Sequence, residues 1–255
     1  MAAAGDLVLP ARCAACHGAG GPLCRACADA VRRSSYGVAS DAVGPRPPPP
    51  GMPCCWAGAR FEGALRHAVT AYKDEGRRDL RPVLAAALAT ALAAAVAGDP
   101  VLRCRLRLRE EVLVVPVPTS RASLRRRGDD PVLGLAVWAA AAVGGGRPAT
   151  GGLAVVPALV HVRRVADQAH LDRAARAANL RGAMAVGAPW RGVVRGATCV
   201  LVDDVVTTGA TLIEGARALR DVGAAHVVAA TCSTTPRHTS APLLWATGPP
   251  TSVRY

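Results

Sequence analysis

Aromatic residues make up only 3% of this 255-residue chain, with a single Phe. Ala and Val must therefore do most of the core packing. Few rings are left to stack on a base, which counts against the aromatic platforms of ordinary single-strand binders. Lysine is scarcer still: of 31 basic residues, all but Lys73 are Arg. With so much Ala, that bias reads as a coding style and weakens any argument from one Arg. Acids number 18, leaving a net charge of +13. Such a surface attracts polyanions, from a phosphorylated metabolite to nucleic acid, or is simply solvated. No G-x-G-x-x-G is present, and no glycine loop ends in Gly-Lys-Ser/Thr, so a dinucleotide fingerprint and a P-loop are both excluded. Met1 to Pro10 lacks a charged n-region and a long apolar run. The longest apolar stretch, Val83 to Gly98, is mostly Ala and falls short of a membrane span. A cytoplasmic location without membrane insertion is the expectation.

Cysteine is the exception to this sparseness, with nine residues. Cys13-x-x-Cys16 and Cys24-x-x-Cys27 form two knuckles, and Gly18, Gly20 and Gly21 between them allow tight turns. Four thiolates suit a closed, tetrahedral, structural zinc site with no open position for catalysis. So short a segment cannot build its own core, so metal would supply folding energy. His17 is poorly placed to share the metal and reads as surface. Cys54 and Cys55, adjacent and so poor ligands, read as buried thiols.

The domain reading is a zinc-finger-like module over 1–44, a stiff Pro-rich linker over 45–53, a catalytic-type domain over 54–235, and a loose tail over 236–255. Within the large domain, Phe61 to Asp74 predicts a helix with Ala64, Leu65, Ala68, Val69 and Tyr72 on one face. Lys73 at its end reads equally as a phosphate contact or a solvated terminus. Val83 to Ala97 predicts an Ala-rich helix. Leu102 to Arg109 alternates apolar residues with Arg103, Arg105, Arg107 and Arg109. That period of two predicts a strand with one basic face, solvated or in contact with nucleic acid. Val112 to Val117, a segment within Leu153 to Val162, and His226 to Thr231 predict further strands. Val132 to Val143 predicts a helix and Gly144 to Gly152 a flexible loop.

The chain is organised around the stretch from Thr198 to Leu212. Cys199-Val200-Leu201-Val202 reads as a strand buried on both faces, as in a parallel sheet. Asp203 and Asp204 follow, then Val205-Val206, then Thr207-Thr208-Gly209-Ala210-Thr211. Leu212, Ile213, Ala216 and Leu219 then recur at helical spacing, with Gly223 as the stop. Backbone N–H groups of a small-residue loop opening a helix lack partners, and the helix dipole adds positive potential. Two acids just before such a cradle suit the hydroxyls of a sugar. The stretch therefore reads as a ribose-5-phosphate clamp, with the acids on the ribose hydroxyls and the loop amides on the 5′-phosphate.

VLVDDVVTTGAT closely resembles the phosphoribosyl-pyrophosphate (PRPP) motif of type I phosphoribosyltransferases. The order of Cys pairs, AYKDEGRRDL, VVPVPTS, the Arg-Gln-Arg-Asn segment and this motif resembles the ComF family, named for competence protein F. The resemblance implies an α/β fold, a mostly parallel sheet flanked by helices, behind the small four-cysteine zinc-binding module. It implies PRPP binding by Asp203, Asp204, Thr207, Thr208, Gly209, Ala210 and Thr211, with Asp203 and Asp204 as the catalytic acids. Pro118, Thr119 and Ser120 would form the pyrophosphate loop, with Arg127 downstream. Arg164, Gln168, Arg176 and Asn179 lie where related enzymes carry a mobile hood. Mg²⁺ would accompany PRPP, and Zn²⁺ would be structural. The chain departs from the family where Arg-Gly-Phe-Asn-Gln is common, reading Arg127-Gly128-Asp129-Asp130-Pro131 instead.

Two functions of different class follow. One is transfer of phosphoribose to an unidentified nucleophile, in nucleotide salvage or in connection with DNA uptake. The other is a non-catalytic competence or DNA-processing protein that binds single-stranded DNA, PRPP or a partner protein.

Overall fold

The computed structural model describes residues 12–35, 42–44, 47–120, 123–125, 128–144, 152–163 and 180–235. Its centre is a five-stranded parallel sheet. The strands are β1 (Cys55–Arg60), β2 (Val112–Pro116), β3 (Leu153–Val155), β6 (Thr198–Val206) and β7 (His226–Thr234), in the order β1-β7-β6-β2-β3. A separate antiparallel pair joins β4 (Leu159–His161) to β5 (Met184–Val186).

Strand alternation explains the layers. Val112, Val114, Val200, Val202, Val228 and Ala230 enter one core. Leu113, Val115, Cys199, Leu201, Val227 and Ala229 enter the other. The first core is covered by α2 (Gly63–Asp74), α3 (Arg81–Gly98) and α5 (Pro131–Val143). The second is covered by α7 (Ala210–Asp221) and the β4–β5 pair, with Val194 of the short α6 (Arg191–Val194). Strands covered on both faces need no polar alternation, which is why their sequences are near-continuous apolar runs.

With so few aromatics, packing relies on close backbone approach. A Cβ on Gly58 of β1 would lie 1.8 Å from the Ala87 carbonyl oxygen of α3. A Cβ on Gly215 of α7 would lie 2.9 Å from Leu201 Cδ2 of β6. α3 alone is long and apolar enough to satisfy a membrane-span criterion among the described residues, but it lies on β1, β7 and α5.

The Cys-rich segment is not set apart. Cys13, Ala14, Leu23 and Val31 join the first core, and α1 (Arg25–Ser35) packs on α2 and β1. Arg77 also donates to the Arg12 carbonyl oxygen at 3.1 Å.

Four expectations need correction. Leu102 to Arg109 is not a strand: it falls within α4 (Pro100–Arg107) and its exposed end. Asp99 caps this helix by accepting from Leu102 N, and Pro100 opens it. Only Leu102 is fully buried, and Leu108 is exposed, so the alternating pattern does not build one basic face. The strand expected within Leu153 to Val162 is two short strands in different sheets. The linker is not polyproline throughout, because Met52 N donates to the Pro49 carbonyl oxygen in a turn that places Gly51 at φ 82°. Cys55 is buried as expected, but Cys54 is exposed. The loop at Gly144 to Gly152 and the tail over 236–255 lie almost wholly outside the described residues.

Gly58→Ala should destabilise the protein by about 3 kcal/mol or more, at or beyond the upper end for overpacking, because the new methyl meets backbone. Gly192→Ala, where a Cβ meets nothing within 4 Å, should change stability by less than about 0.5 kcal/mol. Equal urea midpoints for the two variants would refute the close approach of β1 and α3.

Candidate functional site

Adjacent strands β2 and β6 send their following helices to opposite sides of the sheet: α5 lies in the first core and α7 in the second. Such a divergence opens a crevice at the strand C-termini, where open α/β sheets bind ligands. A cavity of about 510 Å³ occupies that place. It is lined by the run Asp203 to Leu212, by Pro118 and Thr119 after β2, by Pro131 and Val132 of α5, and by Lys73 and Asp74 ending α2.

β6 extends through both acids to Val206 rather than stopping before them. Asp204 shares the parity of Val200 and Val202 and meets α2: its Oδ2 lies 2.5 Å from Lys73 Nζ. Asp204 is buried, and Asp203 is half-buried. Asp203 Oδ1 accepts from Asp204 N at 2.8 Å. Burial pushes the Asp203 carboxyl up from 3.8 to about 6; Lys73 pulls it down and Asp130 pushes it up. Gly209 stands immediately before α7 in the left-handed region at φ 78°, a conformation that favours glycine. The helix ladder begins with Ile213 N bonding the Gly209 carbonyl oxygen. The amides ahead of that bond have no place in the ladder; their residues line the cavity, and Ala210 N lies 3.4 Å from Thr208 Oγ1.

Of the proposed pyrophosphate loop, Pro118 and Thr119 line the cavity, whereas Ser120 does not and instead accepts from Ser123 N at 3.2 Å. Arg127, Arg164, Gln168, Arg176 and Asn179 lie outside the described residues. The β4–β5 pair flanks the segment that contains the last four. His161 of β4 sits with Nε2 3.0 Å from the Pro118 carbonyl oxygen.

Sequence reasoning missed the work of Asp129 and Asp130. Asp130 accepts from Thr119 Oγ1 at 2.9 Å and caps α5 through Val132 N and Leu133 N at 3.1 Å. Asp129 takes a two-pronged bond from Arg78, at 2.6 and 2.5 Å. Arg78 lies 4.8 Å over the Tyr72 ring, and Tyr72 Oη donates to the Pro131 carbonyl oxygen at 3.1 Å. The Asp-Asp-Pro departure thus ties the end of α2 to the start of α5. Phe61, the single Phe, also lines the cavity, so the chain does offer a ring there.

The four thiols of Cys13, Cys16, Cys24 and Cys27 lie within 4.8 Å of one another. Cys16 and Cys24 sulfurs are 3.7 Å apart. Sulfurs about 2.3 Å from one tetrahedral zinc would stand about 3.8 Å apart, so the set fits such an ion. Burial pushes the Cys13 thiol up, but amides of Cys16, Cys24 and Ala15 outweigh it and hold the thiol below its ordinary value. Burial and the neighbouring thiols push Cys27 up. His17 is exposed and takes no part in the cluster.

Residues 149–247 match the family model described as phosphoribosyl transferase domain. No curated protein matches the chain. The matched span covers β3 to β7, while β1 and β2 pair into the same sheet from outside it. Sheet and match together define a type I phosphoribosyltransferase fold and support phosphoribosyl transfer as the general class of chemistry.

Asp203 binds its proton more tightly in the folded chain, so its ionisation costs stability. That cost is absent below about pH 4, grows between about pH 4 and 6, and is constant above. At about 1.4 kcal/mol per unit, Asp203→Asn should stabilise the protein by about 1–3 kcal/mol at pH 7.5 and by nothing at pH 3.5. Unfolding by urea at the two pH values measures it, and an equal effect at both contradicts the burial of this charge.

Proposed function

We propose that this protein binds PRPP in the cavity at the end of β6 and transfers its phosphoribose to a nucleophile. The observation that carries the reading is the meeting, in one cavity, of Asp203 and Asp204 with the left-handed Gly209 turn and the opening of α7. The loop Thr207 to Thr211 offers amides and hydroxyls to the 5′-phosphate. Asp203 and Asp204 accept hydrogen bonds from the ribose hydroxyls. Pro118 and Thr119 border the pyrophosphate, with Ser120, Arg127, Arg164 and Gln168 supplying that side when the substrate is enclosed.

In the reaction the nucleophile's lone pair forms a bond to ribose C1. The C1–O bond breaks, and pyrophosphate leaves with its electron pair. Positive charge builds at C1 as the bond stretches, and the nearby carboxylates stabilise it, so catalysis is chiefly positioning and electrostatics. Mg²⁺ would accompany PRPP, held by cavity carboxylates together with the substrate's phosphates. Asp74, Asp203 and Asp204 are the carboxylates in reach of the cavity. There the ion would supply charge neutralisation for the leaving pyrophosphate.

The four-Cys cluster holds a structural zinc in this reading. With the ComF-like order of motifs, it supports a role in DNA uptake or nucleotide salvage. Purified protein should carry about one zinc per chain, and Cys13→Ser or Cys24→Ser should lose it; metal analysis showing unchanged zinc in both variants would remove the assignment.

Calorimetry tests the substrate. Wild type should bind PRPP with Mg²⁺, and Asp203→Asn or Asp204→Asn should weaken binding about 10- to 100-fold, since hydrogen bonds to charged groups are worth about 1.5–3 kcal/mol. Gly209→Val should do more, because a branched residue resists the left-handed turn and crowds the cradle. No heat from wild type at millimolar PRPP refutes the reading.

A further inference from the structure

The described lining of the cavity that is to receive a polyphosphate is acidic. Among the described residues lining it stand three carboxylates, Asp74, Asp203 and Asp204, and one base, Lys73. Asp204 is buried and lies 2.5 Å from the Lys73 ammonium. Among the described residues, the other titratable groups that face the pair supply no positive charge. Asp130, ahead of α5, adds negative potential at Asp203. Cys55 of β1 and Cys232 of β7 sense the Asp203 charge, but burial pushes both thiols up, and they stay neutral.

Lys73 is also held in place. It follows Tyr72, whose hydroxyl bonds the Pro131 carbonyl oxygen, whose own carbonyl oxygen accepts from Arg78 Nη1 at 2.5 Å, and whose ring lies under the same guanidinium. Arg78 in turn grips Asp129. The last turn of α2 is thus braced against the start of α5, and the ammonium is presented to β6. A separate observation comes from composition. In a chain whose every other basic residue is Arg, this position alone keeps an ammonium. Lysine brings a compact point charge on a flexible stem, where arginine would bring a planar fork too broad for a single buried carboxylate oxygen.

We propose that Lys73 is the positioning residue of the cavity, its ammonium holding the Asp203–Asp204 pair ionised and aimed so that the pair accepts ribose hydroxyls. The proposal rests on the PRPP reading for its consequence, but the pairing itself does not. Removing the ammonium leaves buried acids to recover neutrality by taking up protons.

The experiment has two arms. In the first, PRPP affinity is followed from pH 5 to 9 for wild type, Lys73→Met, Lys73→Gln and Lys73→Arg. Both neutral variants should lose about tenfold in affinity at pH 7.5. The pH at which binding is half lost should rise by about one unit. Lys73→Arg, which keeps the charge but not the fit, should shift the midpoint less than either neutral variant. A merely structural lysine would lower stability in all three variants and leave the midpoint unmoved, and that result overturns the proposal. The second arm needs no ligand. The stabilisation conferred by Asp203→Asn is measured against pH in the wild-type and Lys73→Met backgrounds. Its midpoint should rise by about one unit when the ammonium is gone; an unchanged midpoint overturns the proposal whether or not PRPP binds. A shifted midpoint in a protein that never binds PRPP supports the pairing and sinks the transferase reading.

Discussion

Two neighbouring carboxylates at the end of a buried strand must be neutralised, and much of the structure around β6 answers that requirement. β6 carries Asp203 and Asp204 out of the core at the place where the sheet parts between α5 and α7. One acid is met by Lys73 and the other is left half-buried, raised to about 6 by that burial. Buried charge is costly unless paired. Here it stands beside a glycine turn and a helix opening, where the local potential is positive. Acid and phosphate-seeking amides side by side suit a ligand that presents hydroxyls and phosphate together.

The parts distant from the cavity serve its walls. α2 delivers Lys73, and the Arg78–Asp129 bridge and the Tyr72–Pro131 bond fix its last turn. Asp130 caps α5 and holds Thr119 with the same carboxylate. His161 links the β4–β5 pair to Pro118, on the other side of the β2 loop. The Cys cluster packs on α2 and β1 and contributes to the core beneath them. A metal held there would therefore stabilise the helix that carries Lys73.

Much of this was legible in the sequence where a local rule decides. The apolar run before Asp203, the helix after Gly209 and the knuckle spacing of the Cys pairs each follow from short-range pattern. Leu102 to Arg109 misled because its alternation is also compatible with a short helix, and the deciding residues, Asp99 and Pro100, precede the pattern. Lys73 could not be assigned because its partner lies far along the chain, and no spacing rule links position 73 to 204. Asp129 and Asp130 looked like a loss relative to the family pattern, since their partners, Arg78 and Thr119, are joined to them only by folding. Phe61 looked unavailable because a count of rings says nothing of where the ring stands.

On the proposed function, the cavity at the end of β6 breaks the C1–O bond of PRPP. Phosphorus NMR of PRPP and Mg²⁺ with the protein, over a panel of nitrogen bases and amines, tests it most directly. At least one acceptor should yield pyrophosphate and a phosphoribosylated product in equal amounts, and Gly209→Val should abolish both. If PRPP decays with every acceptor at its protein-free rate, for wild type and Gly209→Val alike, the claim is contradicted.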